Sequence, residues 1–326
     1  MNRVIDRYSM FFVALAATLW ATDAYFRNQL VQHLTANEIV VAEDALIALF
    51  LVPVLLRSWG EVRKLNARGW VAIILIAAGA QAVATILFTK SFSYGLYSET
   101  FVLQQTQPLI AITLAWIVLG ERRRPWFWPA VALAVVAVYL VLQAPNITLE
   151  HPFAPITSLP QGRVEAGLFA LGAAALWASG TVLGRYALGS ISFWSMTALR
   201  FTVALPVLIA IVLVSEGGAG FTHYTLTDFF PNFLGIALVS GLFALLLYYR
   251  ALAKTPASLA TIAEMAYPVA ATLIASGPPP WGFHQPIYPA QILGTVLLLV
   301  VIGVLGFTKE RTSPPVKQEE RAPVAA

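Results

Sequence analysis

The chain has 326 residues, of which 59% are apolar and only 11% are charged, whereas soluble proteins contain roughly 45–50% and about 25% of these classes. This composition excludes an ordinary soluble protein and indicates that lipid surrounds most of the chain. The net charge of +4 does not indicate a nucleic-acid binder, because the basic residues stand in short runs between apolar stretches, and the lack of cysteine excludes disulfides and thiolate metal sites.

Ten apolar stretches are long enough to cross a membrane, since each helical crossing needs about 20 mostly apolar residues. In chain order they are residues 9–30, 37–57, 70–92, 96–119, 126–143, 164–186, 192–214, 229–252, 257–277 and 288–307. Charged or Gly/Pro-rich segments separate them. The sequence therefore predicts an all-α membrane protein with ten transmembrane helices. The first stretch is too long for a cleaved signal, and nine more follow it.

The ten spans divide into two halves of five. We predict a first half at residues 1–145, an outer linker at 146–163, a second half at 164–308 and a disordered tail at 309–326, where charged residues and proline prevail. Most of the 20 basic residues fall on one side of the membrane if the N-terminus is cytoplasmic. The positive-inside rule thus predicts a multi-pass membrane protein with both termini in the cytoplasm.

The two halves repeat each other. LFTKSFSYGLYSETFVLQQTQP at 87–108 aligns without a gap with LYYRALAKTPASLATIAEMAYP at 247–268. This alignment pairs Lys90 with Arg250, Gln104 with Glu264 and Pro108 with Pro268. Because five is an odd number, the second half must enter the membrane upside down relative to the first. Inverted repeats of this kind build many secondary transporters, with the substrate near the midplane at the repeat axis and access alternating between the two sides.

Polar and aromatic residues of the matched spans form the candidate substrate site. We hypothesise that Gln104, Gln107 and Glu264 hydrogen-bond the polar end of a zwitterion, because buried amides and carboxyls need partners where water is absent. Flat apolar walls for its side chain would come from four aromatic residues, Trp20, Trp177, Tyr248 and Tyr267. The alternative is that these amides bond across helices and these rings pack, with no ligand involved.

Ionisable residues inside the spans require partners. Asp23 and Arg27 are four residues apart on the first span and can pair with each other. Glu43 and Arg200 occupy corresponding positions in the second and seventh spans, 157 residues apart in the chain. They could form a charge pair between the halves, or each could face a water-filled vestibule of its own.

The two predicted mouths carry basic residues. Lys90 ends the third span at the outer face, with Tyr94 just after that span, and Arg250 ends the eighth span at the inner face. These residues would flank the two mouths and suit gates that attract a carboxylate. A lysine whose ammonium simply reaches the water from a helix end is the alternative. Pro108 and Pro268 each lie about halfway along a span, so we expect a helix bend at both.

The same stretches carry a family resemblance. LYYRALAKTPASLA at 247–260, PVAATLIA at 268–275 and LIAITLAWIVLGERRR at 109–124 resemble the EamA repeats of the drug/metabolite transporter superfamily. Within that superfamily the chain is most similar to the YddG-type exporters. The resemblance implies export of amino acids, aromatic and other apolar ones, and of related small metabolites, across the cell inner (plasma) membrane. The second half departs from the pattern, because PPPWG at 278–282 replaces the Gly-Glu at 120–121.

Other functions remain as alternatives. A carrier of the same superfamily for a drug or a sugar-linked metabolite is the main competitor, and an integral-membrane enzyme is remote because no zinc-protease, nucleophile-elbow or phosphate-loop motif is present. We expect a small-molecule substrate and the lipid bilayer as partners, no cofactor, no metal and no nucleic acid, and the chain could act as a monomer. Proton coupling could use Asp23, Glu43, Asp44, Glu99 or Glu264, but a facilitated exporter needs none of them.

Overall fold

A computed structural model of the chain describes residues 9–119, 127–148, 150–155, 158–187, 190–224, 226–252, 263–264 and 266–307, and all regular structure in them is helical. The first half contains α1 (Ser9–Leu30), α2 (Ala36–Arg57), α3 (Ala67–Phe92), α4 (Tyr97–Gln104 and Gln107–Leu119) and α5 (Phe127–Leu142). The second half contains α6 (Gln161–Ala187), α7 (Phe193–Ser215), α8 (226–252), α9 (Ala266–Ser276) and α10 (Pro289–Phe307). The predicted ten-helix architecture is confirmed.

Several of these helices are membrane spans by length and composition. In the described part of the chain, six are long and apolar enough to cross a membrane: α1, α2, α3, the Gln161–Gly184 part of α6, α7 and the Phe229–Tyr248 part of α8. Shorter apolar helices lie at Phe127–Leu142, Ala266–Ser276 and Pro289–Val304. Large apolar side chains such as Leu49, Val135 and Val214 point outward from the bundle, as expected for a surface covered by lipid.

Helix packing follows the repeat. Helices α2 and α7 pack together, as do α4 and α9, and α5 and α10. Helix α3 packs on α6 as α8 packs on α1, and α4 packs on α6 as α9 packs on α1. If each helix is exchanged for its counterpart in the other half (α1 for α6, α2 for α7, and so on), the same set of contacts results. The two five-helix units are therefore related by a pseudo-twofold axis, with the second unit inverted.

The loops gather at two ends of the bundle. Loops 31–35, 93–96 and 277–288 lie at one end, where Gln285 donates a hydrogen bond to the Gly95 carbonyl and where the linker between the halves also joins. We call this the linker end. Helix α1 begins and α10 ends at the opposite end, which we call the terminal end.

Helices α2 and α7 cap each other. Thr35 begins α2 with a capping box to Glu38, and its hydroxyl also donates to Glu216, which follows α7. At the terminal end Ser192 caps α7, and Glu61, which follows α2, accepts hydrogen bonds from the Ser195 hydroxyl and the Ser192 amide. These bonds, the one from Ser195 foremost, hold the pKa of the Glu61 carboxyl below its ordinary value. The N-terminus of each of these two helices is thus hydrogen-bonded to a glutamate that follows the other helix. These bonds fix the antiparallel pair.

The third helix of each unit contains one π-helical segment. One spans Ile76–Val83 in α3, and the other spans Gly235–Phe243 in α8. The repeat offset of 160 residues superposes the first on 236–243. A π-helical turn widens the hydrogen-bond ring by one residue and occurs often at functional sites. Both copies therefore keep the same backbone irregularity beside the axis.

Helix α4 is broken rather than bent. It stops at Gln104, continues through the turn of Gln105 and Thr106, and restarts at Gln107, so Pro108 lies in the first turn of a new helical piece. Proline is well tolerated there because the first-turn amides have no partner within the helix. Pro268 lies in the first turn of the described helix Ala266–Ser276, and Met265 just before it is outside the described residues.

Candidate functional site

An aromatic cluster occupies the repeat axis. Buried rings come from α3, α4 and α9, and Trp20 of α1 and Trp177 of α6 border them half-buried. The rings of the cluster are Phe88, Phe92, Tyr97, Phe101 and Tyr267. Small residues of α1 and α9, such as Ala17 and Ala271, leave room for these rings. Both units thus contribute to one apolar centre.

A hydrogen bond joins the two units at this centre. The Tyr267 hydroxyl of α9 donates to the amide oxygen of Gln104 at the end of the first piece of α4, at 2.5 Å. The ring of Tyr267 also stands edge-on to Phe101, with centroids 5.4 Å apart. Two of the predicted substrate residues therefore meet across the axis, and the break after Gln104 places that amide at the end of a helical piece.

A second polar contact lies next to Trp20. The rings of Trp20 and Tyr248 are 4.8 Å apart at a tilt of 48°. The Tyr248 hydroxyl donates to the Glu264 carboxylate at 2.5 Å. Trp177, the counterpart of Trp20, contacts Phe88 with ring centroids 5.2 Å apart. Trp20, Trp177 and Tyr267 thus belong to or border the aromatic cluster, and Gln104 bonds to it through Tyr267. Tyr248 and Glu264 connect to the cluster by way of Trp20.

Gln107 does not join this group. It begins the second piece of α4 half-buried, on the far side of the break from Gln104. Within the described residues it makes no hydrogen bond. The turn at Gln105 and Thr106 lies between the two amides, and the predicted substrate contact of Gln107 stays a prediction.

A buried polar network lies beside the aromatic cluster, centred on Arg27. Only 2% of the Arg27 surface is exposed. Its guanidinium binds Asp23 through Nε at 2.6 Å and Nη2 at 2.9 Å, Glu43 through Nη2 at 2.8 Å, and the Thr89 hydroxyl through Nη1 at 2.9 Å. The predicted Asp23–Arg27 pair is confirmed, and Ser240 of the α8 π-helical segment donates to the same aspartate at 3.1 Å.

The network continues to the other unit through Gln81 of the α3 π-helical segment. The Gln81 amide nitrogen donates to Asp44 Oδ1 at 2.9 Å, and its oxygen accepts from Arg200 Nε at 2.6 Å. Arg200 also donates to the carbonyl of Ala80 at 3.2 Å. Within the described residues Arg27 is thus the ion-pair partner of Glu43, and the direct Glu43–Arg200 pair offered as one alternative by the sequence is wrong.

A cavity of about 420 Å³ opens near the linker end between α2, α3 and α6. Its wall includes Thr89, the partner of Arg27, and Lys90, whose ammonium lies 4.9 Å from the centre of the Phe169 ring. Tyr94 donates to Glu165 at 2.6 Å, and this bond raises the pKa of the tyrosine. Lys90 therefore lines this cavity, and Tyr94 stands beside it with its ring centroid 6.1 Å from that of Phe169. The gating role of both residues stays a prediction.

At the terminal end, the side chain of Arg250 lies outside the described residues. Its backbone belongs to the helical piece Ala244–Leu252, which ends α8. Its predicted gating role therefore stays a prediction.

Two residues of the polar network, Gln81 and Thr89, are not among the predicted site residues, although the sequence distinguishes both. Gln81 stands alone among small apolar residues in IAAGAQAV, and a lone amide in such a span calls for a partner. Thr89 precedes the lysine of the repeat motif. Their connection to Arg27 and Arg200 depends on helices distant in sequence, so no local spacing reveals it.

Comparisons with known proteins agree with this architecture. The model of the EamA-like transporter family matches residues 7–143 and again 165–307. The chain is 27% identical over 305 residues to the riboflavin transporter ImpX of Fusobacterium nucleatum, covering 89% of this chain and 94% of that protein. It is 25% identical over 310 residues to the uncharacterized transporter YwfM of Bacillus subtilis, covering 91% and 93%.

A solved crystal structure has the same fold. It superposes with a TM-score of 0.55 at 14% identity and covers 91% of this chain and 96% of its own. At that identity the likeness concerns the fold alone.

Proposed function

The chain belongs to the EamA-like transporter family of multi-pass membrane proteins, and on that premise we propose that it exports aromatic and other apolar amino acids by alternating access. Its relatives are transporters rather than enzymes. The cell inner membrane and cytoplasmic termini are part of this proposal, supported by the basic residues that flank the terminal end.

One observation carries the proposal: aromatic rings and uncharged or acidic hydrogen-bonding groups from both inverted units meet at the axis. Gln104 belongs to the first unit and Tyr267 to the second, and they are joined directly. A solute that inserts between them would exchange this bond for its own contacts with both units. That is what a substrate must do if its binding is to govern how the units move.

The chemistry of the site suits an aromatic zwitterion. Trp20, Trp177 and Tyr248 offer ring faces on which a flat side chain can stack. The Glu264 carboxylate can receive an ammonium group, and ring faces add a cation–π contribution. The amide of Gln104 has both a donor and an acceptor for a carboxylate and its neighbouring groups.

Riboflavin is the second candidate, because a relative covering most of the chain is a riboflavin transporter. Its fused ring system would use the same aromatic walls, and its polyol would use the amide and carboxylate. A drug or a sugar-linked metabolite is a further alternative, and transport of either would be detected by counterflow.

The test is counterflow into proteoliposomes that contain the purified chain. The panel comprises Phe, Trp, Thr, Met, riboflavin, a cationic drug and a nucleotide sugar. We expect Phe and Trp to exchange fastest. Gln104→Ala and Trp177→Ala should reduce that flux about tenfold for each 1.4 kcal/mol of substrate binding free energy that the substitution removes. Trp194→Ala, at an exposed position on α7, is the matched control and should transport normally.

Two results would contradict the proposal. Exchange of riboflavin, the drug or the nucleotide sugar without exchange of amino acids would replace the substrate class. Undiminished amino acid flux in both variants would remove the axis as the binding site.

A further inference from the structure

The buried polar network holds more acids than bases. Asp23 and Arg27 face it from α1, Glu43 and Asp44 from α2, and Arg200 from α7. The α3 and α8 groups that face it, Gln81, Thr89 and Ser240, are neutral. Three carboxyls thus share two guanidinium groups among the described residues, which leaves one excess negative charge if all are ionised. Such a charge inside a membrane is costly and marks a functional site.

The geometry identifies the carboxyl that lacks a bound cation. Arg27 binds Asp23 and Glu43, and Arg200 donates to the amide oxygen of Gln81. Asp44 is completely buried, and its Oδ1 accepts from the neutral Gln81 amide. Its Oδ2 is buried without a hydrogen-bond partner among the described residues. An ionised aspartate would leave that oxygen charged and unsatisfied, whereas a protonated one is neutral.

We propose that Asp44 is a proton-binding site of this chain, and that this proton couples transport to a proton gradient. The proton adds to Oδ2 and forms an O–H bond, which brings the network to zero net charge. A sodium or divalent ion fits the site poorly, because hard cations take several oxygen ligands at once. Here a single oxygen lacks a partner among the described residues, and a single oxygen suffices for a proton.

The position of Asp44 connects its protonation to movement. Gln81 and Asp44 belong to the first unit, and Arg200 approaches them from the second. When the inverted units change their packing, the guanidinium moves relative to the carboxyl, so the affinity for the proton differs between the two states. By linkage the proton then favours one state over the other. The linker-end cavity lies beside Thr89, which accepts a hydrogen bond from Arg27, so this edge of the network is close to the cavity.

Proton binding can be tested without any transport assay. Infrared spectra of the lipid-reconstituted chain at about pH 7, with all aspartates labelled with ¹³C at the side-chain carboxyl, separate aspartic acid groups from glutamic acid groups. We expect a protonated-carboxyl band that shifts on aspartate labelling and is lost in Asp44→Asn. Glu99→Gln, which removes a buried carboxylate paired with Arg163, should keep the band.

The labelled wild-type protein alone keeps the test decisive if Asp44→Asn does not fold. A spectrum without any band that shifts on aspartate labelling overturns the proposal. Retention of that band in a folded Asp44→Asn variant overturns it as well.

The coupling role rests on the proposed transport, and a flux measurement addresses it separately. We expect an imposed pH gradient to accelerate solute flux in the wild type, and Asp44→Asn to lose that acceleration while it still exchanges solute. Flux that ignores the pH gradient, or that responds to a sodium gradient instead, overturns the coupling. If no panel solute moves at all, the transport proposal fails, and the infrared result still decides whether Asp44 holds a proton.

Discussion

Arg27 is the residue on which the buried polar network depends. One guanidinium binds two carboxylates and a hydroxyl from three different helices. An arginine can do this because its five donors form a rigid planar fork that stays charged when buried. The pairing links α1, α2 and α3 of the first unit at a single point in the membrane.

Arg27→Ala should destabilise the fold strongly. The substitution leaves Glu43 buried and Asp23 partly buried without this cation, and removing one partner of a buried pair typically costs about 3–5 kcal/mol. Thermal unfolding in detergent measures the loss. Arg63→Ala, which removes an exposed guanidinium lying over Trp59, is the control and should lower the midpoint only slightly. Equal midpoints for the two variants would contradict a structural role of the network.

At this scale the sequence reveals local pairs and misses distant ones. The spacing of Asp23 and Arg27 predicts their contact correctly, because four residues make about one helical turn. The correspondence of Glu43 with Arg200 identifies positions related by the axis, but related positions touch only where the axis passes. Both residues lie a few positions before the middle of antiparallel helices. At about 1.5 Å per residue they are therefore roughly 10 Å apart along the pair, and Gln81 fills the interval.

Helices α3 and α6 approach each other closely at Gly180. A Cβ added there would lie 2.3 Å from the Cβ of Ala80, in the π-helical segment of α3. Because no side chain separates the two backbones, the contact positions Ala80, whose carbonyl accepts from Arg200. Glycine at this position is therefore required by proximity.

Gly180→Ala should destabilise the chain by about 1–3 kcal/mol, the usual cost of an extra methyl group in a packed core. Ala80→Gly removes the atom that the new methyl would strike, so the double variant should recover most of the loss. Thermal midpoints of the two single variants and the double variant form the cycle that measures this coupling. Additive losses would show that the two helices do not meet as described.

Some secondary-structure elements can be predicted from the sequence and others cannot. Hydropathy and charged breaks predict the helices well, because lipid demands long apolar stretches. The π-helical segments are invisible, since an irregularity present in both copies leaves the offset between them unchanged. Pro108 signals an interruption of α4, but whether the chain bends or restarts depends on the turn at Gln105 and Thr106 and on the rings around it.

For the whole molecule, the odd number of helices in each unit decides the topology. The number of helices predicts that the units are inverted, but it does not predict which side chains meet at the two mouths. Lys90 is prominent in the sequence, but its contact with Phe169 arises only because α6 of the other unit packs beside α3. The candidate site was thus predictable in its location and its aromatic character, and much less so in its polar connections.

The orientation can be tested with introduced thiols, because the chain contains no cysteine of its own. Gly60 lies at the terminal end and Gly218 at the linker end, and an added side chain meets nothing within 4 Å at either position. We expect a membrane-impermeant maleimide to label Gly218→Cys in intact cells. Gly60→Cys should react only after the membrane is opened. Labelling of both from the same side would contradict the inverted arrangement.

The π-helical segments also set the angular phase of the residues after them. A π-helical turn holds one residue more than an α-helical turn, and each residue of an α-helix advances the chain by about 100°, so regular α-helical winding of Ile76–Val83 would rotate the rest of α3 by roughly that angle. Thr89 would then turn away from Arg27, and Lys90 away from the cavity wall. Gly235–Phe243 fixes in the same way the direction in which Tyr248 faces Trp20. The direction in which each mouth faces relative to the buried polar groups is therefore set by the backbone, through one π-helical segment in each unit.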